Sequence, residues 1–89
     1  MKDGTYIKTQ DGDFIRVEVP SGYWVATNPT DFELARSGDL VGVWTDSITN
    51  IVHVDSVRLV ASATKAVILG SACSQIAIWD NANNTAVTL

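Results

Sequence analysis

The chain has 89 residues, a formal net charge of −4 and a single cysteine, with 46% hydrophobic and only 18% charged residues. That length suits one domain rather than two, and so small a domain buries a modest share of its surface and gains from oligomerisation. Six scattered Lys and Arg residues form no stripe to track phosphates, which argues against a nucleic-acid polymer as partner, and the lone Cys73 rules out an intrachain disulfide.

In chain order, TYIKT (5–9) and FIRVEV (14–19) alternate apolar and polar residues around the turn dipeptide Asp11-Gly12. The pattern predicts a β-hairpin. Pro20 has no N–H to donate and should end the second strand. SGYWVAT (21–27) reads as a third strand, with Gly22 permitting a bend at its start. NPTDFELARSGD (28–39) breaks the alternation and reads as a short helix or turn, with Thr30 as N-cap, Glu33 completing a capping box and Gly38 as the stop.

LVGVWTD (40–46) and IVHVDSVRLV (51–60) predict a second hairpin around DSITN. Alternation slips near Ser56, which suggests a bulge or bend there. SATKAVILGSACS (62–74) is the strongest helix. Ser62 suits its N-cap, and Ala63, Ala66, Val67, Gly70 and Cys73 share one small-residue stripe. A glycine within a helix costs about 1 kcal/mol against alanine, so Gly70 implies close approach of the helix to a sheet. QIAIWD (75–80) returns as a strand apolar on both faces, expected in the interior or under a second subunit. TAVTL (85–89) is the last strand. The expected fold is α+β: antiparallel β-hairpins with one helix, about 62–74, packed on the sheet of a single domain, 1–89.

No apolar run approaches the ~20 residues that span a membrane, and MKDGTYIKTQ lacks the apolar segment of a signal peptide. A cytoplasmic protein with no membrane partner is expected, and Cys73 fits a reducing compartment. The sequence around Cys73 offers no electropositive setting for a nucleophile, so it reads as a small buried helix residue. His53 and Asp55 share a strand face and read as a surface pair. There is no nucleophile elbow, no Gly-rich phosphate loop and no metal-ligand spacing. The expectation is a non-enzyme with no cofactor and no metal.

The aromatic residues carry more. Tyr23, Trp24, Trp44 and Trp79 lie at or near strand ends, where rings with a polar handle pack the rim of a core or stack on a planar ligand. Arg58 and Lys65 flank the start of the main helix, where backbone N–H groups favour anions.

Three segments in fixed order also resemble a group of small bacteriophage and mobile-element proteins: PSGYWVAT (20–27), LVGVWTDSITNIVHVDSV (40–57) and KAVILGSACSQIAIWD (65–80). The shared pattern rests on Ser21, Gly22, Tyr23 and Val25, on Gly42, Trp44, Asp46, Val54 and Asp55, on Ala66, Leu69 and Gly70 of the helix, and on Gln75, Ala77, Ile78, Trp79 and Asp80. It spans residues 20 to 80, about two thirds of the chain. Ser74 stands where the group is expected to carry asparagine. The resemblance extends towards the anti-Thoeris sponges, non-enzymatic phage proteins that oligomerise and sequester cyclic ADP-ribose-like immune signals. It implies a homo-oligomer binding a nucleotide-like small molecule in the host cytoplasm. Tyr23, Trp44 and Trp79 would stack, Arg58 and Lys65 would take phosphate, and Gln75 and Asp80 would bond base or ribose. The alternatives are a protein-interaction module that blocks a host factor and a virion structural component. The positions of the tryptophans discriminate: clustered beside Arg58 they favour a ligand, spread over a face they favour a protein partner.

Overall fold

The computed structural model describes all 89 residues. In chain order the elements are β1 (Gly4–Lys8), β2 (Phe14–Arg16), β3 (Tyr23–Pro29), β4 (Leu40–Thr45), β5 (Val52–Val60), α1 (Ala63–Ala72), β6 (Ala77–Asp80) and β7 (Thr85–Thr88). The strands form one antiparallel sheet in the order β2-β1-β4-β5-β3-β6-β7, with β2 and β7 as its edges. With α1 on the sheet, this is the α+β architecture that the hydrophobic periodicity predicted. By packing, the chain forms two compact units: residues 1–17 with 28–56, and residues 18–27 with 57–89.

The first unit is built from the two predicted hairpins. β1 pairs with β2 in the register Tyr6↔Arg16 to Lys8↔Phe14, across a turn in which Gly12 takes a φ of 86°. Only glycine adopts that angle without strain. β4 pairs with β5 from Val41↔Ser56 to Thr45↔Val52. The slip in alternation at Ser56 marks no break in β5: it is the last residue registered with β4, and the strand runs on to Val60. Tyr6, Val41 and Val43 are buried and share one face by register and alternation.

Segment 28–39 holds no helix. β3 continues to Pro29, and Asp31, rather than Thr30, caps a single turn, its Oδ1 accepting from the Leu34 N–H at 2.7 Å. The turn does not propagate because the Lys8 ammonium takes the carbonyls of Phe32 (2.9 Å) and Ala35 (2.8 Å). A cation on open carbonyls is a favourable way to end a turn of helix. Phe32 meets Phe14 edge to face at 5.2 Å, which seats the loop. β2 is also shorter than predicted, ending at Arg16 well before Pro20.

In the second unit, α1 packs on β3, β6 and β7. Val25, Ala66 and Ile78 form its buried cluster, with Tyr23, Val60, Leu69 and Val87 around them. Ser62 is the N-cap, its Oγ accepting from the Lys65 N–H at 3.4 Å. Only part of the predicted small-residue stripe is buried. Ala66 and Gly70 face the sheet, whereas Ala63 and Val67 are exposed and Cys73 is half-buried at the C-cap. Gly70 lies against its neighbours as expected: a Cβ there would stand 2.9 Å from Ile78 Cγ2.

The helix ends in a tight reversal. Ser74 N–H donates to the Ser71 carbonyl and Gln75 N–H to the Gly70 carbonyl, with Ser74 itself left-handed at φ 58°. That reversal takes up Gln75, and the strand starts at Ala77 and not at Gln75. Ile76 is 74% exposed in this chain, contrary to an interior placement, while Ile78 is buried. No helix in the chain is long and apolar enough to cross a membrane.

Candidate functional site

One recess in the structure brings together residues singled out from the sequence. It lies where β5 runs into α1, an open cleft of about 420 Å³ lined by Arg58, Leu59, Val60, Ala61, Ser62, Lys65 and Leu69. Its position follows from local structure. β5 delivers Arg58 to Val60, the two-residue link Ala61–Ser62 reverses the chain, and the first turn of α1 presents Lys65. Val60 and Leu69 continue from the cleft wall into the buried cluster. The cleft therefore combines an apolar base with two cations, and its rim holds no aromatic ring and no carboxylate.

The remaining candidates lie elsewhere. Tyr23 is half-buried on the helix-facing side of β3, directly across from Asp80. Asp80 is buried and committed to the β6–β7 turn. Its Oδ2 accepts from Asn83 Nδ2 at 2.8 Å, and its Oδ1 accepts from the N–H groups of Ala82 and Asn83. The Asn83 side chain, then the backbone donors, hold this carboxyl below its ordinary range. Gln75 turns its amide onto the carbonyl of Cys73 at 3.3 Å.

Trp79 is opposite Trp24 in the β3–β6 register, on the sheet face away from α1. Trp24 is buried, and Trp79 remains 39% exposed. Trp44, in the first unit, is 41% exposed and stacks on its cross-strand partner His53, with ring centroids 4.3 Å apart and planes 13° from parallel.

The structure thus joins Arg58 with Lys65 in the cleft, and Tyr23 with Asp80 on one sheet face. It places neither Trp44 nor Trp79 in the cleft wall.

Sequence reasoning placed the β4–β5 loop at DSITN but gave it no functional role. Asp46 Oδ1 accepts from the Ile48 N–H at 2.8 Å and the Thr49 N–H at 3.2 Å. These donors, aided by the charge of His53, hold its carboxyl below the ordinary carboxylate range. The signal was legible, since an Asp followed by Ser, Thr and Asn is turn chemistry. Ile48 at the loop apex was not singled out, although it is 90% exposed. His53 and Asp55 lie together on β5 as expected, and the His53 ring stacks on Trp44, a partner that the sequence did not indicate.

A scan against protein-family models finds none that matches the chain, and searches among curated proteins and solved structures find no match either.

Proposed function

We propose that this chain is a non-enzymatic binding module that self-associates and docks protein surfaces through exposed apolar and aromatic side chains. The observation that carries this reading is the spread of the tryptophans. Trp44 stands on His53, Trp79 sits half-exposed opposite Trp24, and the Arg58–Lys65 cleft holds neither. Tryptophan, tyrosine and arginine dominate the energetics of protein interfaces. The second unit also exposes Leu59, Val67, Ile68 and Ile76. Affinity capture from host lysate with the wild-type chain and with Trp79→Ser and Trp44→Ser tests it. Proteins retained by the wild type should be lost from at least one variant, and an identical set on all three refutes the reading.

A second reading follows from the joint placement of Arg58 and Lys65. One cation in the first turn of a helix and another on the strand that leads into it suit an anion, in line with the resemblance to sponges for cyclic ADP-ribose-like signals. In that case the chain sequesters a nucleotide-like ligand, with its phosphate held between Arg58 and Lys65. Isothermal titration with cyclic ADP-ribose isomers and cyclic dinucleotides tests this. Binding abolished by Arg58→Glu supports it, and no heat with any of these ligands at high micromolar concentration excludes it.

A further inference from the structure

The loop that joins β4 to β5 is fixed by its own hydrogen bonds. Besides the two that Asp46 Oδ1 accepts, Asn50 N–H donates to the Asp46 carbonyl at 2.8 Å, and Asp46 N–H donates to the Ile51 carbonyl at 2.9 Å. Thr49 Oγ1 accepts from the Ile51 N–H at 3.3 Å, and Asn50 turns the chain at φ 58°. The loop presents Ile48 at its apex, 90% exposed, with Ile51 and Val52 more than half exposed behind it. A single exposed isoleucine needs no explanation. Ile48 on a pre-ordered loop, with aliphatic Ile51 and Val52 exposed where β5 begins, forms a tip that docks without the entropic cost of ordering it.

The loop itself carries one carboxylate, Asp46, and no Lys or Arg. Asp3 is drawn to the same end, accepting from Thr45 N–H at 3.2 Å and Thr45 Oγ1 at 3.0 Å. An apolar tip flanked by carboxylates is complementary to an apolar recess with a cationic rim. It is repelled by anionic lipid and by nucleic acid.

A recess of that description is present on this chain. The cleft at the start of α1 has Leu59, Val60, Ala61 and Leu69 in its walls and Arg58 and Lys65 as its charges. Its volume of about 420 Å³ accommodates an isoleucine side chain with space beside it. We infer that the β4–β5 loop of one copy docks, Ile48 first, into the Arg58–Lys65 cleft of a second copy. The inference rests on the self-association reading above and names its two surfaces. The contact is heterologous: each copy uses its loop on one neighbour and its cleft on another, so association closes into a ring or extends as a chain.

The test is sedimentation velocity of the full chain across the micromolar range, at low and raised salt. The wild type should associate, less so at raised salt because the attraction is screened. Ile48→Ser removes the tip and Lys65→Glu reverses the rim. Both positions are exposed, and unchanged melting temperatures confirm that each variant folds. Arg58→Glu serves as a second rim variant. Each should self-associate at least about tenfold more weakly. An equimolar mixture of Ile48→Ser and Lys65→Glu should form a discrete 1:1 complex, because one supplies an intact cleft and the other an intact loop. A monomeric wild type overturns both this inference and the self-association reading. Variants that associate like the wild type, or a mixture that stays monomeric, overturn the inference alone and leave self-association to another surface.

Discussion

Replacing Gly70 with alanine sets two effects of known sign against each other. The helical interior gains about 1 kcal/mol, because alanine is the best helix former and glycine among the poorest. Against this, the new methyl would stand 2.8 Å from Leu89 Cδ1 and 2.9 Å from Ile78 Cγ2, where carbon atoms rest at about 3.5–4.0 Å. Leu89 is partly exposed and its tip swings aside at small cost. Ile78 does not: it is buried, and its Cγ2 sits on a β-branch whose χ1 is stiff. Overpacking of this kind costs about 1–3 kcal/mol. The net effect of Gly70→Ala is therefore a loss of about 1 kcal/mol, which lowers Tm by roughly 4–8 °C in a chain of this size. Thermal melts and urea titrations measure it. Ser71→Ala, at the next and exposed position, isolates the propensity gain and should stabilise by about 0.5 kcal/mol. If Gly70→Ala matches or exceeds the wild type while Ser71→Ala shows its gain, the helix does not lie against Ile78 and the close-approach argument fails.

Three further outcomes are expected. Ser74 is left-handed at φ 58°, so Ser74→Gly should stabilise by about 1 kcal/mol, and Ser74→Asn by less; a loss of stability in both by urea titration contradicts the αL ending. Asp80 is held below the ordinary value of 3.8 by its turn donors. Its contribution is therefore complete above that pH and lost as pH falls through its lower folded value. Asp80→Asn should accordingly melt below the wild type at neutral pH, with a gap that closes in acid; a gap of constant size down to that range means that the carboxylate charge plays no part. Finally, Trp44 and His53 should couple by about 0.2–1 kcal/mol in a double-mutant cycle, the range for cross-strand pairs; zero coupling means that their 4.3 Å stack is inconsequential.

Local sequence chemistry located the elements that close through neighbouring residues. The Asp11-Gly12 hairpin, the Ser62 N-cap and the strands flanking Asp46 follow from turn residues, a cap and alternation, all of which act within a few positions. The segment 28–39 was less legible. Its capping pattern suggested a short helix or a turn, and it is a turn, with Lys8, more than twenty residues away, on the carbonyls of Phe32 and Ala35. QIAIWD was also less legible. Its composition suited a strand in the interior or under a second subunit, whereas the ending of α1 takes up Gln75, the strand starts at Ala77, and Ile76, its carbonyl still accepting from the Leu89 N–H, is exposed in this chain.

The candidate site divides in the same way. That Arg58 and Lys65 belong together was visible from their positions around the start of one helix, since a short β5–α1 link leaves them no other arrangement. Which rings would join them was not visible, because side-chain neighbours across a sheet depend on strand order and register. Pairing put Trp44 against His53 and Trp79 against Trp24, and it gave Asp80 a turn to cap. By itself the sequence determined the class of fold, the hairpins, the limits of the helix and the glycine that lets it approach the sheet, because periodicity and backbone preference are local. Only the tertiary structure decided which faces meet, which aromatics remain exposed and where an apolar recess opens between two cations, because each depends on contacts between residues far apart in the chain.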